Sequence, residues 1–174
     1  MLELRLPRPN EAALVARACD DPWALEWGFA PEWVSCARDL ERFVERLRQH
    51  ARGEGLPAGH VPCTFLFAFS EGGELVGRVS IRHTLNEHLS REGGHVGYGV
   101  LPQHRRRGYA REILRLALFR CRDLGLARVL VTCDDENEGS WRVIEANGGA
   151  LEGRAPRASG GGLYRRYWVE LGAR

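Results

Sequence analysis

The sequence has 174 residues, 44% apolar and 28% charged, the make-up of a single globular domain (1–174) with a full core. A formal net charge of +2 and the lack of a basic tail argue against a nucleic-acid partner. No run approaches the ~18 apolar residues of a membrane span, and Met1-Leu-Glu-Leu-Arg-Leu-Pro7 lacks a signal-peptide core.

Five cysteines stand at 19, 36, 63, 121 and 133, with no Cys-x-x-Cys spacing. Neither a disulfide framework nor a zinc site is expected, and a reduced, cytoplasmic protein is.

In chain order, Leu2, Leu4 and Leu6 alternate with Glu3 and Arg5 as a short strand. Asn10 can cap a helix over Glu11–Cys19, which Asp20-Asp-Pro22 breaks. Trp23, Trp27, Phe29 and Trp33 then crowd together with Gly28 and Pro31. That stretch reads either as a small satellite core or as a substrate-facing aromatic lid. An amphipathic helix is predicted over Ser35–Arg52, with Leu40, Phe43, Val44 and Leu47 inward. Residues 53–62 are a Gly/Pro loop.

Thr64–Ser70 is a strand with Phe65, Phe67 and Phe69 on one face and Leu66 and Ala68 on the other, so both faces are buried. After the turn Glu71–Glu74, the strand Leu75–His83 points Val79 and Ile81 inward and Arg78, Ser80 and Arg82 outward. Residues 85–94 connect to a central strand, Val96–Leu101. Beyond the next helix come a strand at Ala127–Cys133, a short helix at Ser140–Ala146, and a last pair of strands around the Gly160–Gly162 tip. Cys121 and Cys133 read as core thiols.

The central segment carries the chemistry. Pro102 stops the strand, and a helix runs from about Gly108 to Leu124. Ala110, Ile113, Leu114, Ala117, Leu118, Cys121 and Leu124 share one face of it. Arg105, Arg106, Arg107, Gly108, Tyr109 and Ala110 lie where that helix begins. Its first N–H groups have no partner and the dipole is positive there, a ready site for phosphate. The segment reads either as a diphosphate site or as a basic surface turn. No Gly-Lys-Ser/Thr follows and no Gly-x-Gly-x-x-Gly is present, so it is neither a nucleotide P-loop nor a dinucleotide fingerprint.

Arg105-x-x-Gly108-x-Ala110 resembles the (Gln/Arg)-x-x-Gly-x-(Gly/Ala) signature of the GNAT N-acetyltransferases. Asn137-Glu-Gly-Ser140-Trp-Arg-Val-Ile-Glu resembles that superfamily's Asn-x-x-Ser-x-x-Val-(Ile/Leu)-Glu segment. The order of predicted elements is similar over nearly the whole chain. Gly-Gly-His95-Val-Gly-Tyr98 and Arg166-Tyr-Trp-Val169 are similar to a bacterial branch of the superfamily.

The resemblance implies an α/β (α+β) fold: a mixed central sheet of about six to seven strands with about four helices. It implies acetyl-CoA as co-substrate, with the pyrophosphate at residues 105–110. The pantetheine arm would face the backbone of Tyr98, Gly99 and Val100, with Asn137 and Ser140 beside it. It implies direct attack by a primary amine, from a small molecule or a peptide, with an oxyanion donor near the Val100 N–H; His83-x4-His88 has no third ligand at a metal spacing, so no metal is expected. The resemblance also implies a possible homodimer.

His95 stands where such enzymes place a base; it reads equally as a strand-end histidine bonded to a neighbouring loop. The family's acid, a Tyr on the helix after the Asn, corresponds to Ile144 here. The role then passes to Ser140 or to Tyr164 or Tyr167. His83, Asn86, Glu87 and His88 are candidates to line the acceptor pocket. Two other readings stand beside this one: a non-catalytic CoA-binding sensor or interaction module, and a transferase of a longer acyl-CoA.

Overall fold

The computed structural model describes residues 2–158 and 160–172. Within them, β1 (Glu3–Arg5), β2 (Cys63–Phe69), β3 (Leu75–Arg82) and β4 (Val96–Val100) form one antiparallel sheet in sequence order. β5 (Arg128–Asp134), β6 (Ala150–Pro156) and β7 (Leu163–Glu170) form a second, ordered β5-β7-β6. The strand number is as expected. The ladders are all antiparallel because β4 and β5, which a single mixed sheet would join, meet only at one end. There Gly94 and Val131 make an isolated bridge, and the His95 N–H donates to Leu130 O at 2.7 Å.

The first sheet is covered on both faces, as the pattern of β2 predicts. On one side Ala68, Val79, Ile81 and Val96 pack with Ile113, Leu114 and Ala117 of a long helix. On the other, Phe67 and Phe69 pack with Phe29, Trp33, Phe43 and Leu47 from the N-terminal helices. Burying a side chain of this kind stabilises by roughly 1.5–3 kcal/mol, so both layers matter to the fold.

Those helices are α1 (Ala12–Cys19), α2 (Pro22–Trp27), α3 (Pro31–Ser35) and α4 (Leu40–Arg52). The Asp-Pro pair that breaks α1 also starts α2. Asp21 accepts from the Trp23 and Ala24 N–H groups at 3.0 and 3.3 Å, and Pro22 takes the first turn. The predicted helix over Ser35–Arg52 is shorter at its start, because Ala37 and Arg38 are left-handed and Asp39 caps at Arg42 N (2.8 Å). Residues 85–94 hold a further helix, α5 (Glu87–Glu92), capped by Asn86. The long helix is α6 (Tyr109–Asp123) and the short one α7 (Glu138–Glu145). Leu124, expected inward, is exposed: α6 ends at Asp123, and Gly125 turns the chain at φ +82°. No helix among the described residues is long and apolar enough to cross a membrane.

Candidate functional site

The site is built on β4. Its partner β3 sets Val100 opposite Gly77, Gly99 opposite Arg78, and Gly97 opposite Ser80. The Leu101 N–H donates to Val76 O at 3.0 Å. Bonded and non-bonded pairs alternate along an antiparallel ladder. Gly97 and Gly99 therefore turn their backbone groups to β3. Tyr98 and Val100 turn theirs to the side where β5 departs. This corrects the grouping of Gly99 with its neighbours, because its backbone is used within the sheet. A side chain on Gly99 would strike the Trp27 ring at 2.4 Å.

At the start of α6, Gly108 is the N-cap at φ +82° and gives no capping side chain. A Cβ there would meet nothing within 4 Å. The N–H groups of Tyr109, Ala110 and Arg111 begin the helix with no intrahelical acceptor, at the positive end of its dipole. Arg106 is itself left-handed (φ +59°), and it and Arg107 are exposed. Arg105 is turned back. Its Nε donates to Val100 O at 3.2 Å, and its guanidinium lies over Trp23 at 4.5 Å. Tyr109 meets His104 edge-on, 6.3 Å between ring centres.

Across the gap between the sheets, Asn137 caps α7 through Oδ1, which accepts the Ser140 N–H at 3.0 Å. The Tyr98 hydroxyl donates to the Ser140 carbonyl at 3.2 Å, and burial raises the pKa of this phenol. Tyr98, Ser140 and Asn137 thus come together, although their strand and helix belong to different layers. Ile144 is fully buried. Tyr164 donates to Arg91 O (2.8 Å) and Tyr167 to Glu145 (3.0 Å), and both are buried, so neither takes up the acid role left by Ile144.

His95 does not fit a general base. Its Nδ1 accepts the Leu130 N–H at 2.9 Å, and the ring is buried against Trp168. Burial, with Arg82 nearby, lowers its pKa. A base needs an accessible lone pair; the available one clamps β4 to β5.

A cavity of about 560 Å³ lies against the other face of β3, under α3, α4 and α5. Arg78, Ser80 and Arg82 of β3, Cys63 and Phe65 of β2, and His50 of α4 line it. Of the four predicted pocket residues, Asn86 and His88 are in this lining. Asn86 also ties the loop before β2 in place, donating to Gly59 O at 2.8 Å. His83 instead pairs with Thr64 Oγ1 at 2.8 Å, and burial lowers its pKa. Glu87 is exposed and paired with Arg91. These two are corrected.

Sequence reasoning missed Arg78 and Arg82 as lining residues. The alternation was visible, but "outward" on β3 means the face it shares with Phe65 and Phe67, which α4 covers. Burial, and the neighbouring Arg82, push Arg78 down to about 10.

A family model for the acetyltransferase (GNAT) domain matches residues 1–150. No curated protein matches the chain by sequence. Among solved structures, a ribosomal L7/L12 α-N-protein acetyltransferase in complex with coenzyme A is 18% identical, with TM-score 0.66, covering 99% of this chain and 96% of that one. The ribosomal-protein-S5-alanine acetyltransferase of Vibrio fischeri is 17% identical (TM-score 0.66; 98% and 93% covered). A spermidine N-acetyltransferase from Vibrio cholerae, with CoA and spermine, is 16% identical (TM-score 0.65; 98% and 95%). At these identities the structures share the fold with this chain.

The clamp has a pH signature. The folded chain keeps His95 neutral, while the unfolded chain takes up that proton near pH ~6.5. Stability therefore falls as the pH drops from about 6.5 through the lowered folded value. Nitrogen NMR is expected to show His95 protonated on Nε2 and titrating below the ordinary histidine range. A ring protonated on Nδ1 at neutral pH would contradict the clamp.

Proposed function

The chain belongs to the GNAT acetyltransferase family, and from that premise we propose that it transfers the acetyl group of acetyl-CoA to a primary amine by direct attack. The observation that carries this reading is the open edge of β4 beside the uncapped start of α6. The co-substrate supplies the activated thioester; the residues described here bind and orient it. The N–H groups of Tyr109, Ala110 and Arg111, with Arg106 and Arg107, would hold the pyrophosphate. Backbone groups of Tyr98 would pair with the pantetheine arm, with Asn137 at its side, since Arg105 already holds the Val100 carbonyl. The Val100 N–H, on the open edge, is the donor for the developing oxyanion.

Arg105 supports the loop and the Val100 carbonyl rather than reaching outward. As the C–N bond forms and the C–S bond breaks, Tyr98 gives its proton to the leaving thiolate, and the proton lost by the attacking amine returns to the phenolate through solvent. The Tyr98 hydroxyl sits at Ser140, the residue expected beside the sulfur, on a half-buried side chain, and like any phenol it carries its proton at neutral pH. The acceptor enters through the cavity along β3. The whole chain acts as one domain, and its partner is the amine, not a nucleic acid or a membrane.

Calorimetric titration with acetyl-CoA tests the binding half. Wild type is expected to bind, and Gly108→Glu to weaken binding at least about tenfold, since it adds a like charge at a left-handed position facing the phosphates. Equal affinity would sink the loop assignment. Tyr98→Phe tests the chemistry. Turnover by thiol release is expected to fall about 10²–10⁴-fold with acetyl-CoA affinity kept; unchanged turnover would remove Tyr98 from the reaction. Binding without transfer to any amine would favour the sensor reading.

A further inference from the structure

The cavity along β3 holds two guanidinium groups and one carboxylate, Glu32, which pairs with neither of them. Arg78 Nη1 and Arg82 Nη1 both converge over Gly97, at 3.7 and 3.9 Å from where its Cβ would stand. The missing side chain makes the room they share. Arg78 Nη1 donates to Gly97 O (3.1 Å) and Ser80 Oγ (3.3 Å). Arg82 Nη1 donates to Gly93 O and Gly94 O (3.4 and 3.0 Å). Among the described residues neither forms an ion pair, and Arg78 Nε is sealed from solvent with no partner. The remaining ionisable lining groups include His50, His60 and His88, and a single carboxylate, Glu32, which already accepts from Ser35.

Elsewhere several half-buried arginines meet carboxylates: Arg5 with Glu11, Arg157 with Glu92, Arg165 with Asp135; Arg122, held by the Leu171 carbonyl, is the exception. Two partly buried cations without a counter-ion are costly, and removing one partner of such a pair destabilises strongly. The cost is offset when a ligand brings the anion. A guanidinium presents forked donors that match a carboxylate, and the cavity volume suits a small molecule.

Resting on the acetyl-transfer reading, we propose that the acceptor is a small amine that also carries a carboxylate or similar oxyanion, docked between Arg78 and Arg82. An amino acid or amino-acid-like metabolite fits; a polyamine does not, because the same charges repel it. Likeness in fold to a spermidine acetyltransferase thus leaves the acceptor open, and the cavity's charge decides it.

The test is a calorimetric panel run on the protein with and without desulfo-CoA, so the anion preference is read even if the cofactor fails to bind. The probes are glycine, glutamate and γ-aminobutyrate, the amide of each, aminoethyl phosphate, spermidine, and a short acidic peptide. One of the acids or the phosphate is expected to bind at least about tenfold tighter than its uncharged counterpart. That preference is expected to vanish in Arg82→Gln and in Arg78→Gln, and to survive in part in Arg82→Lys. Preference for aminoethyl phosphate over the acids identifies the oxyanion as phosphate. Amides binding as well as acids, spermidine or the peptide alone binding, or a preference that persists in both Gln variants would overturn the proposal. If Arg78→Gln does not fold, wild type and the two Arg82 variants decide. Absence of desulfo-CoA binding would count against the transfer reading only.

Discussion

A short clamp between the start of β4 and the middle of β5 governs the rest of the site. His95 gives its N–H to Leu130 O and takes the Leu130 N–H on Nδ1, so backbone and side chain close the two strands at one point. No ladder continues beyond it. Tyr98 and Val100 are left with backbone groups that β3 does not use, held at an edge whose position the clamp fixes. An unpaired strand edge is usually a liability that proteins cover or charge. Here α6 and α7 flank it, and the Tyr98 hydroxyl at Ser140 ties β4 to the start of α7. Exposed polar backbone within reach of a helix N-terminus is what a ligand with an amide-bearing arm and a diphosphate requires.

The other face of β4 is organised by aromatic and cationic stacking. Arg105 lies over Trp23, Trp23 stacks on Trp27 at 5.2 Å and 11°, and Arg78 lies over Trp27 at 4.4 Å. Gly99 is small because Trp27 rests on it. The column links the turn before α6 to the cavity along β3, and it keeps Arg78 in place although no carboxylate pairs with it. Each cation–π contact is worth on the order of 0.5–2 kcal/mol, more where water is excluded. The tryptophan-rich segment therefore serves two ends: Trp33 is core, while the exposed Trp27 covers Gly99 and carries Arg78.

Much of this was legible in the sequence. The two-faced burial of β2, the apolar stripe of α6 and the glycine before it follow from spacing alone. The short helix beyond Asn137 was also expected, but with Ser140 at its start; it begins at Glu138, and Asn137 is its cap. What spacing does not carry is which neighbour each half-buried polar group meets. His95 reads as a base because imidazole titrates near neutrality, yet its lone pair is taken by a backbone N–H from a strand 35 residues on. Arg78 and Arg82 read as solvent-facing because β3 alternates; only the packing of α4 against β2 encloses that face. The start of α4 was misplaced because Ala37 and Arg38 adopt left-handed conformations that their side chains do not advertise.

The central claim is that β4 keeps one edge open for the co-substrate. Amide hydrogen exchange at single-residue resolution measures it directly. In the free protein the Tyr98 and Val100 amides should exchange faster than those of Gly99 and Leu101, which bond to β3. Saturating acetyl-CoA should slow Tyr98 and Val100 by at least about tenfold and leave the other two nearly unchanged. Tyr98 and Val100 amides already protected in the free protein, or unmoved when acetyl-CoA is bound, would contradict the account.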